Sequence, residues 1–233
     1  MTGEHSSKQY DQELEAIRSK VLLMGGMVET AFDEAMECFR VGEAARADRV
    51  IADDQAVNQL EVQLDDACSH LIVRRQPTAN DLRTVMATIK VITDLERIGD
   101  EASKIARTAK SLHERNGAPF AHYDMVRTIS KATGDQLHNA LDAFARLDGK
   151  QALELIAADE VVDHEFRSIL RNLITFMMED PRTISSALDT LWVAKAIERI
   201  GDHAKNIAEY VIYVVEGRDI RHSKPAANEQ AAG

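Results

Sequence analysis

Prolines are scarce in this chain, 4 in 233 residues, and aromatic side chains make up only 5%. With 11 glycines and an abundance of Ala, Leu, Ile, Glu, Asp and Arg, the profile predicts an all-helical protein. Long apolar runs are missing too. None approaches the ~20 residues of a membrane span, and "MTGEHSSKQYDQELEAIRSK" has no apolar core of a signal peptide. Cysteine is down to Cys38 and Cys68, which form no CxxC and fall at apolar positions, so reduced core thiols are expected. Together these shortages predict a cytoplasmic protein. Positive charge is also short. A net charge of −11 would repel a phosphate backbone, which argues against nucleic-acid binding. It suits a cation ligand or a basic protein partner, with plain solubility as the simpler reading. Catalytic signatures are missing: there is no P-loop, GxSxG, HExxH or ExxH, and neither cysteine has an obvious partner base. No enzymatic activity is expected. A histidine phosphotransfer module uses an exposed histidine on a four-helix bundle, which the threefold repeat described next does not match.

What the chain does contain is a repeat. "ERIGD" stands at Glu96–Asp100 and again at Glu198–Asp202. Around it, "DLERIGDEASKIA" (Asp94–Ala106) parallels "AIERIGDHAKNIA" (Ala196–Ala208) at an offset of 102 residues. Upstream, "VIADDQAVNQL" (Val50–Leu60) parallels "LIAADEVVDHE" (Leu155–Glu165), and "EAMECFRVGEA" parallels "NALDAFARLDG", both at an offset of 105. A unit of three helical segments used twice accounts for all of these. Breakers mark the joints: "RRQPTANDL" (Arg74–Leu82), "EDPRTISS" (Glu179–Ser186) and, between the units, "RNGAPF" (Arg115–Phe120). Helices are predicted at about 8–42, 46–75, 80–115, 120–147, 150–179 and 183–216. That gives two tandem three-helix bundles, 8–116 and 119–217. An unstructured tail is expected over 218–233.

Each ERIGD copy sets two acids four residues apart, neighbours on a helix that repel by about 0.2–0.5 kcal/mol. Each also spends a glycine in a helix interior, which costs roughly 1 kcal/mol against alanine. At 100° per residue, Glu96 and Asp100 fall on the shoulder of the apolar stripe, as do Asp54 and Asn58 on the preceding helix. The Asp54–Asn58 pair is centred 21 residues before Pro77, and Glu96–Asp100 is centred 21 after it. At ~1.5 Å per residue both lie about 32 Å from the turn, so an antiparallel hairpin brings them level. In the second unit Asp159–Asp163 is centred 20 before Pro181 and Glu198–Asp202 19 after it. Carboxylates ~5.5 Å apart repel by about 3 kcal/mol at an effective dielectric of 20. A bound cation turns that repulsion into attraction. Oxygen donors suit Mg²⁺, Ca²⁺ or Mn²⁺, and carboxylate clusters also hold iron. The expectation is two sites for divalent or trivalent ions, with Mg, Mn, Fe, Zn and Ca all left open. The first comprises Asp54, Asn58, Glu96 and Asp100; the second comprises Asp159, Asp163, Glu198 and Asp202. Solvated or salt-bridged acids, for example an Asp100–Lys104 pair, are the alternative. With three acids against four, the first site is expected to bind more weakly.

At these residues the chain resembles the PhoU family, regulators of bacterial phosphate uptake and phosphate-starvation signalling. The resemblance spans about residues 8–216 and rests on "LERIGD"/"IERIGD", the preceding acid pairs and the "RRQPTANDLR" hairpin tip. It implies an all-α fold of two three-helix bundles related by internal pseudo-twofold symmetry, which bind metal through E(D)xxxD pairs. It also implies a homodimeric adaptor, not an enzyme, between the phosphate transporter's ATPase subunit and a membrane sensor histidine kinase, reaching the membrane only through those partners. The family motif maps onto Asp54, Glu96, Asp100, Asp159, Asp163, Glu198 and Asp202. At Asn58 the chain departs from the acid.

Three lesser expectations complete the reading. His164 and His203 turn ~100° from the acids they follow and should face solvent. The basic tip with Arg74, Arg75 and Arg83 reads as a solvated turn. "LLMGGMVETA" (Leu22–Ala31) reads as core, its "GG" allowing close helix approach.

Overall fold

The computed structural model describes residues 3–116 and 123–220, with the backbone alone at 3–7 and 116. Among the described residues there are seven α-helices and no strand: α1 (Gly3–Val41), α2 (Ala44–Arg75), α3 (Ala79–Asn116), α4 (Tyr123–Arg146), α5 (Gly149–Ala158), α6 (Glu160–Glu179) and α7 (Ile184–Glu216). A 3₁₀ turn, Pro181–Thr183, joins α6 to α7. Helices α1, α2 and α3 pack on one another, as do α4, α6 and α7 with α5 against α7. The predicted pair of three-helix bundles is therefore present. The bundles meet chiefly along α3 and α7, the two helices that carry ERIGD.

The turns follow from a few residues. Gly42, with φ +74, ends α1 where a Cβ would stand 2.5 Å from His113 Nδ1, so only glycine fits. At the first hairpin Gln76 takes a left-handed conformation, its N–H donating to Ile72 O at 3.0 Å, and Pro77 stops any continuation. At the second, the Asp180 carboxylate accepts from the Arg182 N–H, and Pro181 opens the 3₁₀ turn.

Several boundaries differ from expectation. The first helix begins at Gly3 rather than near residue 8. The helix predicted over 150–179 is interrupted at Asp159, which keeps right-handed helical dihedrals, so the rod is jogged and not turned. The interruption coincides with burial of the Asp159 carboxylate among polar partners from α4 and α7. Most of the predicted linker and tail lies outside the described residues. Within them, residues 218–220 are non-helical, and Ile220 packs against the core.

The core runs through both bundles and across their junction, with Phe32, Leu64, Leu95, Ile98, Leu137 and Ile197 fully buried. Cys38 and Cys68 are free and buried in it, as expected, and burial pushes each thiol up to about 11. Of the glycine pair, Gly25 does bring helices together: a Cβ there would stand 2.7 Å from Leu141 Cδ2 of α4. Gly26 faces open space. The basic tip is less solvated than expected. Arg75 makes a two-pronged contact to Glu13 of α1 at 2.6 and 3.1 Å, and Arg83 lies 5.7 Å above the Tyr213 ring.

Candidate metal centre

On α2, Asp54 and Asn58 are half-buried and lie one turn apart; on α3, so do Glu96 and Asp100. The hairpin brings the two pairs together as the residue count requires. Burial first, and then the negative charge of Asp100, raises the Asp54 carboxyl above its ordinary range. Burial raises Glu96 likewise, with Asp100 and then Asp54 adding to it. Gly99 allows this approach, since a Cβ there would meet Asp54 Oδ1 at 3.3 Å and Val57 at 3.4 Å. No hydrogen bond or ion pair engages Asp54, Asn58, Glu96 or Asp100 among the described residues. Asp54 Oδ1 and Asn58 Oδ1 are buried oxygens without any partner. The expected Asp100–Lys104 pair does not form, because Lys104 turns to Glu101 at 2.9 Å.

Two further acids belong to this cluster and were not among those singled out above. Glu61 is raised by burial and then by Glu96, Asp65 and Asp100. Asp65 is raised by burial, and its Oδ1 is a third buried oxygen without a partner. The signal for them is legible in retrospect: Asp54, Asn58, Glu61 and Asp65 follow a 4-3-4 spacing, one face of α2. The acidic row is longer than the pairs at exact four-residue spacing.

The second cluster also assembles, but its charges are differently placed. Burial and then Glu198, Asp159 and Asp163 raise Asp202, so the other three acids all lie within electrostatic reach of it. Three of them already have basic or polar partners. Asp159 accepts from Lys205 Nζ at 2.6 Å and Gln136 Nε2 at 3.1 Å. Glu198 accepts from Lys195 at 2.5 Å, and Asp163 from Arg167 at 3.1 Å. The buried atoms without partners here are neutral ones, Gln136 Oε1 and Thr133 Oγ1 of α4, beneath Gly201. Among the described residues no three His, Cys, Asp or Glu side chains already stand in a coordinating group. An ion would therefore need side-chain rotation to gather its ligands. On donor chemistry the first cluster fits a cation: anionic and amide oxygens, half-buried, mutually repelling and in no direct ion pair, with Lys104, Arg97 and Arg107 offsetting the repulsion only in part. The second fits one only if Lys195 and Lys205 are displaced.

The histidines divide. His164 is exposed, as expected. His203 is not: it lies across the bundle junction with Nδ1 2.6 Å from Asp94 Oδ1, because the ~100° turn away from Asp202 points it at α3.

The family model described as the PhoU domain matches residues 21–109 and again 126–211, one match per bundle. The chain belongs to the PhoU family. Its PhoU relatives include the phosphate-specific transport system accessory protein PhoU homolog of Pseudomonas aeruginosa, 45% identical over 94% of this chain and 90% of the relative. The phosphate-specific transport system accessory protein PhoU of Escherichia coli is likewise 45% identical over 94% and 90%. The crystal structure of PhoU from Pseudomonas aeruginosa superposes with a TM-score of 0.86, covering 90% of this chain and 100% of that one. The phosphate transport system regulatory protein PhoU from Streptococcus pneumoniae, 24% identical, shares the fold with a TM-score of 0.82. Among the described residues of this PhoU chain no helix is long and apolar enough to cross a membrane.

Proposed function

We propose that this chain is a cytoplasmic negative regulator of phosphate uptake and phosphate-starvation signalling. It acts as a metal-binding, homodimeric adaptor between the ATPase subunit of a phosphate transporter and a membrane sensor histidine kinase. It is not an enzyme. The observation that carries this reading is the 45% identity, along nearly the whole chain, to proteins named as accessory to the phosphate-specific transport system. The two matched PhoU domains and the absence of any recognisable catalytic motif in the sequence agree with it.

For the metal, the support lies in the first cluster. Asp54, Asn58, Glu96 and Asp100, joined by Glu61, would hold one divalent or trivalent cation. Such an ion would supply the counter-charge that lets α2 and α3 keep these oxygens close. In the second cluster Asp159, Asp163, Glu198 and Asp202 would hold an ion only in competition with Lys195 and Lys205. Counting acids favours the second site, but three of its acids are held in direct ion pairs and none of the first site's is, so the first binds more tightly.

The test is repression of a phosphate-regulated reporter in a host deleted for its own regulator. The wild-type chain restores repression under abundant phosphate, and Glu96→Gln with Asp100→Asn restores it poorly. Failure of the wild-type chain, expressed and folded, to repress would overturn the regulator reading. Full repression by the double variant would overturn the role of the metal alone.

A further inference from the structure

The seam between α3 and α7 is pseudo-symmetric, and its two ends are finished differently. At one end Lys90 of α3 lies over the rings of Tyr210 and Tyr213 of α7, at 5.5 and 5.8 Å. The offset of 102 residues carries Lys90 to Trp192 and the two tyrosines to Thr108 and Ser111. At this second end, then, a larger side chain faces two small ones. The result is a groove of about 280 Å³ lined by Glu101, Lys104, Thr108, Trp192, Lys195 and Arg199. Trp192, the chain's one tryptophan, is 67% exposed beside it.

The groove continues as a stripe. Ile184, Leu188 and Trp192 are exposed at intervals of four residues on α7, and Lys195 and Arg199 follow on the same face. Positions 184, 188, 192, 195 and 199 fall within about 80° of arc at 100° per residue. The apolar part runs about 12 Å along the helix at 1.5 Å per residue, longer than a small ligand would use. The basic part is in surplus. Glu101 is almost fully buried and shared by Lys104 at 2.9 Å and Arg199 at 3.2 Å, so one acid serves two cations that are each about half exposed. The acids near the face are otherwise committed: Glu198 to Lys195 and Asp189 to Arg115.

We infer that this face of α7, with the groove beside Trp192, docks an amphipathic acidic helix of a partner protein. Apolar residues of the partner sit along Ile184, Leu188 and Trp192, and its carboxylates reach Lys104 and Arg199, which share the single acid Glu101. Tryptophan and arginine, both lining this groove, are among the residue types on which binding energy concentrates in protein interfaces, and apolar anchors at helical spacing with a charged continuation suit helix-in-groove recognition. The apolar stripe of Ile184, Leu188 and Trp192 includes no residue of either acid cluster; Lys195, which donates to Glu198 at 2.5 Å, is the one link to the second cluster.

Trp192 itself reports occupancy. The full chain is titrated with a synthetic helical peptide bearing leucines at i, i+4 and i+7 followed by glutamates on the same face. The expected result is a saturable blue shift of tryptophan emission in the micromolar range. A peptide with lysines replacing the glutamates gives at least tenfold weaker binding, and so does Leu188→Glu, whose exposed position leaves the helical circular dichroism unchanged. Absence of any shift, or equal binding of the two peptides, overturns the inference. So does sedimentation showing a dimer that Leu188→Glu splits, which makes a second copy the occupant, and so does adenosine monophosphate shifting the emission where the acidic peptide does not. Such a failure alongside intact reporter repression leaves the regulator reading standing and removes this surface from it.

Discussion

His203 Nδ1 of α7 lies 2.6 Å from Asp94 Oδ1 of α3, and Asn206 Nδ2 donates to the same oxygen at 3.1 Å. Asp94 is almost fully buried, so this acid ties the two bundles together from inside their junction. Asp94→Ala leaves both α7 donors without an acceptor. Hydrogen bonds to charged groups contribute about 1.5–3 kcal/mol, and a loss in that range is expected by urea unfolding. Unchanged stability would mean that the junction is held by apolar contacts alone.

Adjacent glycines should respond with opposite signs. Gly26→Ala, in open space on α1, is expected to stabilise by about 0.8–1 kcal/mol, the helix-propensity difference. Gly25→Val drives branches into Leu141 and should cost about 1–3 kcal/mol, as overpacked cores do. Thermal melts of the two variants against the wild type measure both.

The two thiols should be inert while the protein is folded. With both raised to about 11, they remain protonated at pH 8, and burial denies access to reagents. Iodoacetamide at pH 8 is expected to label neither Cys38 nor Cys68 in the native chain and both in urea, read by mass spectrometry. Rapid native labelling of one would show that its helix opens locally.

Neutralising a first-cluster acid should have opposite effects with and without metal. Burial and Asp100 both disfavour the charged Asp54 carboxylate. Asp54→Asn should therefore raise the melting temperature of the chelator-treated protein, by about 2–4 °C for each kcal/mol of strain relieved. The same change should diminish the further rise that added metal produces in the wild type.

Much of this was legible in the chain. The level pairing of Asp54–Asn58 with Glu96–Asp100 followed from Pro77 standing midway between them, since helical rise is uniform. The ion pairs Lys195–Glu198 and Asp163–Arg167 lie three and four residues apart and could have been read from helical spacing. The Lys205–Asp159 contact could not, because it joins residues 46 apart on different helices. Glu61 stands outside the exact four-residue pairs, and only the whole α2 face, with its 4-3-4 spacing, marks it. The jog at Asp159 carries no proline or glycine to announce it, and it coincides with tertiary contacts to Gln136 and Lys205. His203 departs from the expected solvent exposure because the side of α7 turned away from Asp202 is occupied by α3 of the other bundle.

Calorimetric titration of chelator-treated protein with Mn²⁺ tests the central claim most directly, using the wild type, Glu96→Gln with Asp100→Asn, and Glu198→Gln with Asp202→Asn. The account predicts that the first double variant abolishes the tighter binding event and the second leaves it in place. Tight binding that survives loss of Glu96 and Asp100 but vanishes with Glu198 and Asp202 would contradict it.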